Sequence, residues 1–189
     1  MIDNVKSKHI LKKIFHKMKN KRKLNIIKYN KKIKIKLDIN IEDFEIYITL
    51  KKFNNKYKTN IGDIDIKELN LNSKNIENER LKNLFKINFN ELEILNLGYN
   101  NISDINILEK VKFKELKELY LYWNKISDIK VLEKVKVDKL ETLHLGDNEI
   151  SDINILEKIK IKELKKLSLN RNIISNINIL EKVDFKELK

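Results

Sequence analysis

The sequence predicts an α/β solenoid, with a parallel sheet on its concave face, short helical return segments behind it, and a small α-helical module in front. Three observations carry this. From Phe89 to Lys189 the chain repeats itself every 24 residues without a gap. Within each period two leucines stand two apart, which puts both on one face of a strand. Apolar residues then recur every third position, as on the inner face of a short α or 3₁₀ helix.

The N-terminal module covers residues 1–43. Val5, Ile10, Leu11, Ile14, Phe15 and Met18 fall near one helical face, Asn20 to Arg22 interrupts them, and Leu24, Ile27 and Ile33 begin a second stretch. Residues 44–65 read as a cap or linker, because Phe44 to Leu50 alternates like a strand and a solenoid needs its apolar end covered. The solenoid itself is assigned to residues 66–189. A degenerate first unit places Ile66, Leu69, Leu71 and Ile76 in register, 26 residues before its successor and with Lys74 at a position later taken by Asn. Four full units follow: Phe89 to Lys112, Phe113 to Lys136, Val137 to Lys160 and Ile161 to Asp184. A fifth begins FKELK and stops at Lys189, leaving no capping segment on that side.

Each full unit contains L-x-x-L-x-L-x-x-N-x-I, as in Leu92, Leu95, Leu97, Asn100 and Ile102. This resembles the leucine-rich-repeat family, which implies a leucine-rich-repeat solenoid that binds another protein. Asn100, Asn124, Asn148 and Asn172 sit where the chain leaves the strand, where an amide can satisfy backbone groups. Ser103 or Asp104 is a plausible N-cap for the return, Ile105, Leu108 and Val111 face inward, and Phe113 and its counterparts close the core. The segment from Ser7 to Ile33 also resembles an F-box, with Leu11, Ile14, Phe15 and Leu24 at its apolar positions, although the Leu-Pro opening and the closing tryptophan are missing. That resemblance implies a substrate-receptor subunit of a ubiquitin ligase.

Charge separates the two parts. The net charge is +13, and residues 1–36 hold fourteen Lys or Arg against the single acid Asp3, while residues 37–189 balance at 27 of each sign. A compositional bias toward Lys, Asn and Ile acts on the whole chain and does not explain that asymmetry. The basic segment fits a docking bundle with solvated lysine faces, a nucleic-acid contact or an anionic membrane surface. With no cysteine, disulfides, zinc–thiolate sites and cysteine nucleophiles are excluded. No run of eighteen apolar residues marks a membrane span, and the charged N-terminus is unlike a signal peptide, so a cytoplasmic location is expected.

Chemistry has little support. His9 and His16 are seven apart, a poor spacing for a metal, and His144 has no nucleophile and orienting acid around it beyond Ser168. Asp104, Asp128 and Asp152 form a column that suits caps better than calcium, since Asn176 continues it. The only glycines, Gly62, Gly98 and Gly146, build no phosphate loop. The expectation is a binding protein, not an enzyme, with no cofactor and no metal. Its contact surface is expected at strand positions pointing away from the core: Tyr99, Glu118, Tyr120, Tyr122, Trp123, His144, Asp147 and Arg171. Tyr and Trp favour strands, but Trp123 lies past the strand, and Tyr, Trp and Arg dominate binding hot spots. Gly98 and Gly146 on neighbouring strands predict a Tyr122 ring unshielded by side chains.

Overall fold

The computed structural model describes residues 32, 35, 41–61, 65–159, 161 and 163–183. The helices expected in the basic N-terminal segment, its F-box-like positions and the start of the fifth unit lie outside those residues. The chain divides into two compact units, Met1–Lys58 and Thr59–Lys189.

In the first unit, helix α1 spans Ile41–Tyr57. The strand expected over residues 44–50 is therefore corrected to helix. The reason lies in its continuation: Leu50, Phe53 and Tyr57 are buried, and spacings of three and four residues place them on one side only in a helix. A strand would send Leu50 and Phe53 to opposite faces. Within the helix, the Thr49 hydroxyl donates to the Glu45 carbonyl at 2.8 Å.

The second unit is an α/β leucine-rich-repeat solenoid. Five three-residue strands form one parallel sheet in chain order: β1 (Glu68–Asn70), β2 (Ile94–Asn96), β3 (Glu118–Tyr120), β4 (Thr142–His144) and β5 (Lys166–Ser168). The central leucines are in register, Leu69 with Leu95, Leu119, Leu143 and Leu167. Leu95, Leu119 and Leu143 are at most 1% exposed, and each such burial contributes about 2 kcal/mol. The four full units return through 3₁₀ segments at Asn106–Lys110, Lys130–Glu133, Asn154–Glu157 and Asn178–Glu181, while the first returns through an α-helix, α2 (Asn78–Leu84). Ile105, Leu108 and Val111 are buried as expected, and Phe89, Phe113, Val137 and Ile161 close the core.

The turn asparagines do what their position suggested. Asn148 donates from Nδ2 to the carbonyls of Leu121, Leu145 and Gly146 at 3.0–3.1 Å, and its Oδ1 accepts from the Ile126 amide at 3.0 Å. Asn100 and Asn124 repeat this pattern, so each asparagine ties its own turn to the preceding repeat. The column of Asp104, Asp128, Asp152 and Asn176 caps the returns, one residue earlier than a true N-cap: each side chain accepts from the amide two residues on at 2.8–2.9 Å. Ile105, not Ser103 or Asp104, holds the N-cap position.

Candidate interaction face

The residues flanking the buried leucines of β2 to β4 are half-exposed and form the open face of the sheet. The structure brings five of the expected site residues together there. Tyr99 and Trp123 stack with ring centroids 5.3 Å apart and planes within 9°. Tyr122 meets Tyr99 edge-on at 5.5 Å and Tyr120 edge-on at 6.3 Å, and lies 4.9 Å from the His144 ring. Aromatic pairs of this geometry are worth about 1 kcal/mol beyond their burial. The patch is therefore a connected set of rings and not five separate side chains.

Its two halves differ. Tyr99 and Trp123 are 49% and 46% exposed, whereas Tyr120, Tyr122 and His144 are half-buried. The expected unshielded Tyr122 is corrected here. Gly98 makes room for the ring to lie down: a Cβ at Gly98 would come within 2.5 Å of the Tyr122 Cζ. The ring settles over that backbone, between Tyr99, Tyr120 and His144, and its hydroxyl reaches Asn72 Oδ1 at 3.4 Å. Asn72 was absent from the expected set, although it occupies the Gly98 column of the degenerate first unit.

Electrostatics fix the margins. The Tyr120 hydroxyl donates to Glu118 Oε2 at 2.6 Å, and this bond, reinforced by partial burial, pushes the phenol up to about 12. Burial lowers the pKa of His144, against the opposing pull of Asp147, which favours the neutral ring. Arg171 stands apart from the rings: its guanidinium is 3.3 Å from Asp147 Oδ1. Ser168 pairs in register with His144, yet its hydroxyl donates to Asn170 Oδ1 at 2.5 Å. Among the described residues no group of three His, Cys, Asp or Glu side chains is placed to hold a metal ion.

One feature of the patch was invisible in composition and spacing. Tyr99, Trp123, Asp147 and Arg171 occupy one column, just before each turn asparagine, and all four have φ between 51° and 55°. This left-handed conformation costs a residue with a Cβ about 1 kcal/mol, with Asn and Asp the best tolerated. Asp147 suits it, whereas Tyr99 and Trp123 do not. Their rings are half in solvent, so core burial does not offset that cost.

Comparison with known proteins agrees with the fold. Residues 90–134 match the family model of leucine-rich repeats in two copies. Among solved structures, internalin C2 of Listeria monocytogenes is 30% identical with a TM-score of 0.53, over 66% of this chain and 50% of that one. Internalin F of the same organism is 25% identical with a TM-score of 0.44, over 65% of this chain and 38% of its own. The chain thus spans half or less of the length of these neighbours. A search of curated proteins finds no significant match. The repeats form a leucine-rich-repeat array, a class whose extended sheet faces generally serve protein interaction. Among the described residues no helix is long and apolar enough to cross a membrane.

Proposed function

We propose that this chain is a non-enzymatic, cytoplasmic recognition module that binds a protein partner on the open sheet face, with Tyr99 and Trp123 as its anchors. The observation that carries the reading is the stacked, half-exposed Tyr99–Trp123 pair on left-handed backbone. A ring in that position sits on strained backbone and fills no core, which fits a residue kept for what it touches. Tyr120, Tyr122 and His144 supply a packed aromatic base behind the anchors. Glu118, Asp147 and Arg171 form a polar margin, the arrangement expected of an interface with an apolar centre.

The test uses the same backbone logic. Asparagine is at ease in the left-handed region, so Tyr99→Asn with Trp123→Asn relieves strain while removing both anchors. Strain relief and the lost ring contacts roughly offset, so the doubly substituted chain should unfold at a denaturant midpoint close to the parent's and lose its partner by about 2 kcal/mol or more. The comparison is affinity capture followed by mass spectrometry, with a binding isotherm for any partner found. Undiminished binding by the double variant would sink the proposal.

A further inference from the structure

The side of the solenoid opposite the sheet carries a cleft that the repeat rule does not explain. A cavity of about 610 Å³, within the size range of small-molecule sites, opens between α2 and the 3₁₀ segment Asn106–Lys110. It arises where the first unit, 26 residues long with an α-helical return, meets the first 24-residue unit with a 3₁₀ return. Ile107 records the mismatch. Its equivalents Val131, Ile155 and Ile179 are 6–8% exposed, but Ile107 is left half-exposed in the cleft wall beside Phe85.

Two lysines of the cleft wall, Lys86 and Lys110, form no ion pair among the described residues. Lys134 lies 3.8 Å from Glu109, the residue 25 positions earlier. The same step back from Lys110 arrives at Phe85, whereas Lys158 and Lys182 have acids at that step, Glu133 and Glu157; like Lys110, they form no ion pair among the described residues. Among the described residues Lys86 bonds only the neutral Asn83 side chain, at 3.0 Å. The one carboxylate in the wall, Asp104, is engaged already: Oδ2 is 3.5 Å from Lys82 and Oδ1 accepts from the Asn106 amide at 2.8 Å. Two ammonium groups without counter-charge thus flank an apolar wall.

We propose that this cleft binds a small organic anion, whose phosphate or carboxylate is held by Lys86 and Lys110 and whose flat apolar body lies against Ile107. The site is independent of the aromatic face. Titrating the ¹⁵N-labelled full chain with phenyl phosphate should give saturable amide shifts at Asn106, Ile107 and Lys110. Inorganic phosphate and phenol, each carrying half of the recognised chemistry, should bind at least about tenfold more weakly. Lys86→Glu with Lys110→Glu should abolish the shifts while the spectrum stays dispersed, and the milder Gln pair gives the same reading if reversal disturbs the fold. Equal affinity for inorganic phosphate, shifts scattered over lysines elsewhere, absence of saturation, or full retention by the Lys variants would each overturn the proposal.

Discussion

Tyr99 and Asn100 are neighbours in the chain and belong to opposite regions of the molecule. Asn100 is 8% exposed and has counterparts doing the same work at Asn124, Asn148 and Asn172. Tyr99 is half-exposed, and its column reads Tyr, Trp, Asp, Arg through successive repeats. The interior columns are uniform because every repeat must bury the same leucines and satisfy the same turn. The outer columns vary because folding asks almost nothing of them, which leaves them free to be specified by contact. The contrast is sharpest in the left-handed column, where folding favours Asn or Asp and three of the four residues, Tyr99, Trp123 and Arg171, are neither.

The largest way to break this contrast is on the uniform side. Asn148→Ala removes three donated bonds and one accepted bond at a buried turn and should cost about 3 kcal/mol, read as a lowered urea midpoint with an unchanged slope. Trp123→Asn, one repeat earlier on the varied side, exchanges relieved backbone strain for a lost ring stack and should change stability by about 1 kcal/mol at most. If Trp123→Asn destabilised the fold as Asn148→Ala does, the division into structural and contact columns would fail. A test at the border of the two regions is Gly98→Ala. Its new Cβ collides with the Tyr122 ring, so the ring must lift, at a cost of about 1–2 kcal/mol and with weaker tyrosine circular dichroism in the near ultraviolet.

The smallest effects are electrostatic and set by pH. Hydrogen bonds from Lys117 and Lys67 hold the Glu93 carboxyl down at about 2, below its ordinary 4.5. A carboxylate depressed on folding stabilises the native state fully above pH 4.5, and that contribution fades as pH falls toward 2. Lys117→Met should therefore lower stability at neutral pH and converge with the parent chain toward pH 2, flattening the acid limb of the stability profile over that window. Tyr120 titrates at the other extreme: raised from 10 to about 12, it should keep its protonated absorbance past pH 10 until Glu118→Ala removes the acceptor that raises it.

The columns that repeat were legible in the sequence, since Leu95, Asn100 and Ile105 recur in register and their burial follows from spacing alone. The exposed set was legible for the same reason: once Leu95 and Leu97 point inward, Tyr120 and Tyr122 must point out. Regions with no repetition were not. Phe44 to Leu50 alternates as a strand would, and only the burial of Phe53 and Tyr57 beyond it decides for helix. The lie of Tyr122 depended on a missing Cβ one strand away, a three-dimensional fact that Gly98 hinted at without giving its direction. The positive φ at Tyr99 and Trp123 comes from the turn geometry of the fold, not from the preferences of those residues.

A last column joins two observations made separately. Lys67, Glu93, Lys117, Glu141 and Lys165 occupy one register position beside the strands and alternate in sign. Glu93 bridges Lys67 and Lys117 at 2.6 and 2.7 Å, and Glu141 meets Lys165 at 2.8 Å. In a chain whose units are close copies, this alternation acts as a parity check. A slip, loss or duplication of one unit sets like charges side by side, whereas a change of two units leaves every neighbour opposite in sign. Within this column, the array lengthens or shortens without conflict only in pairs.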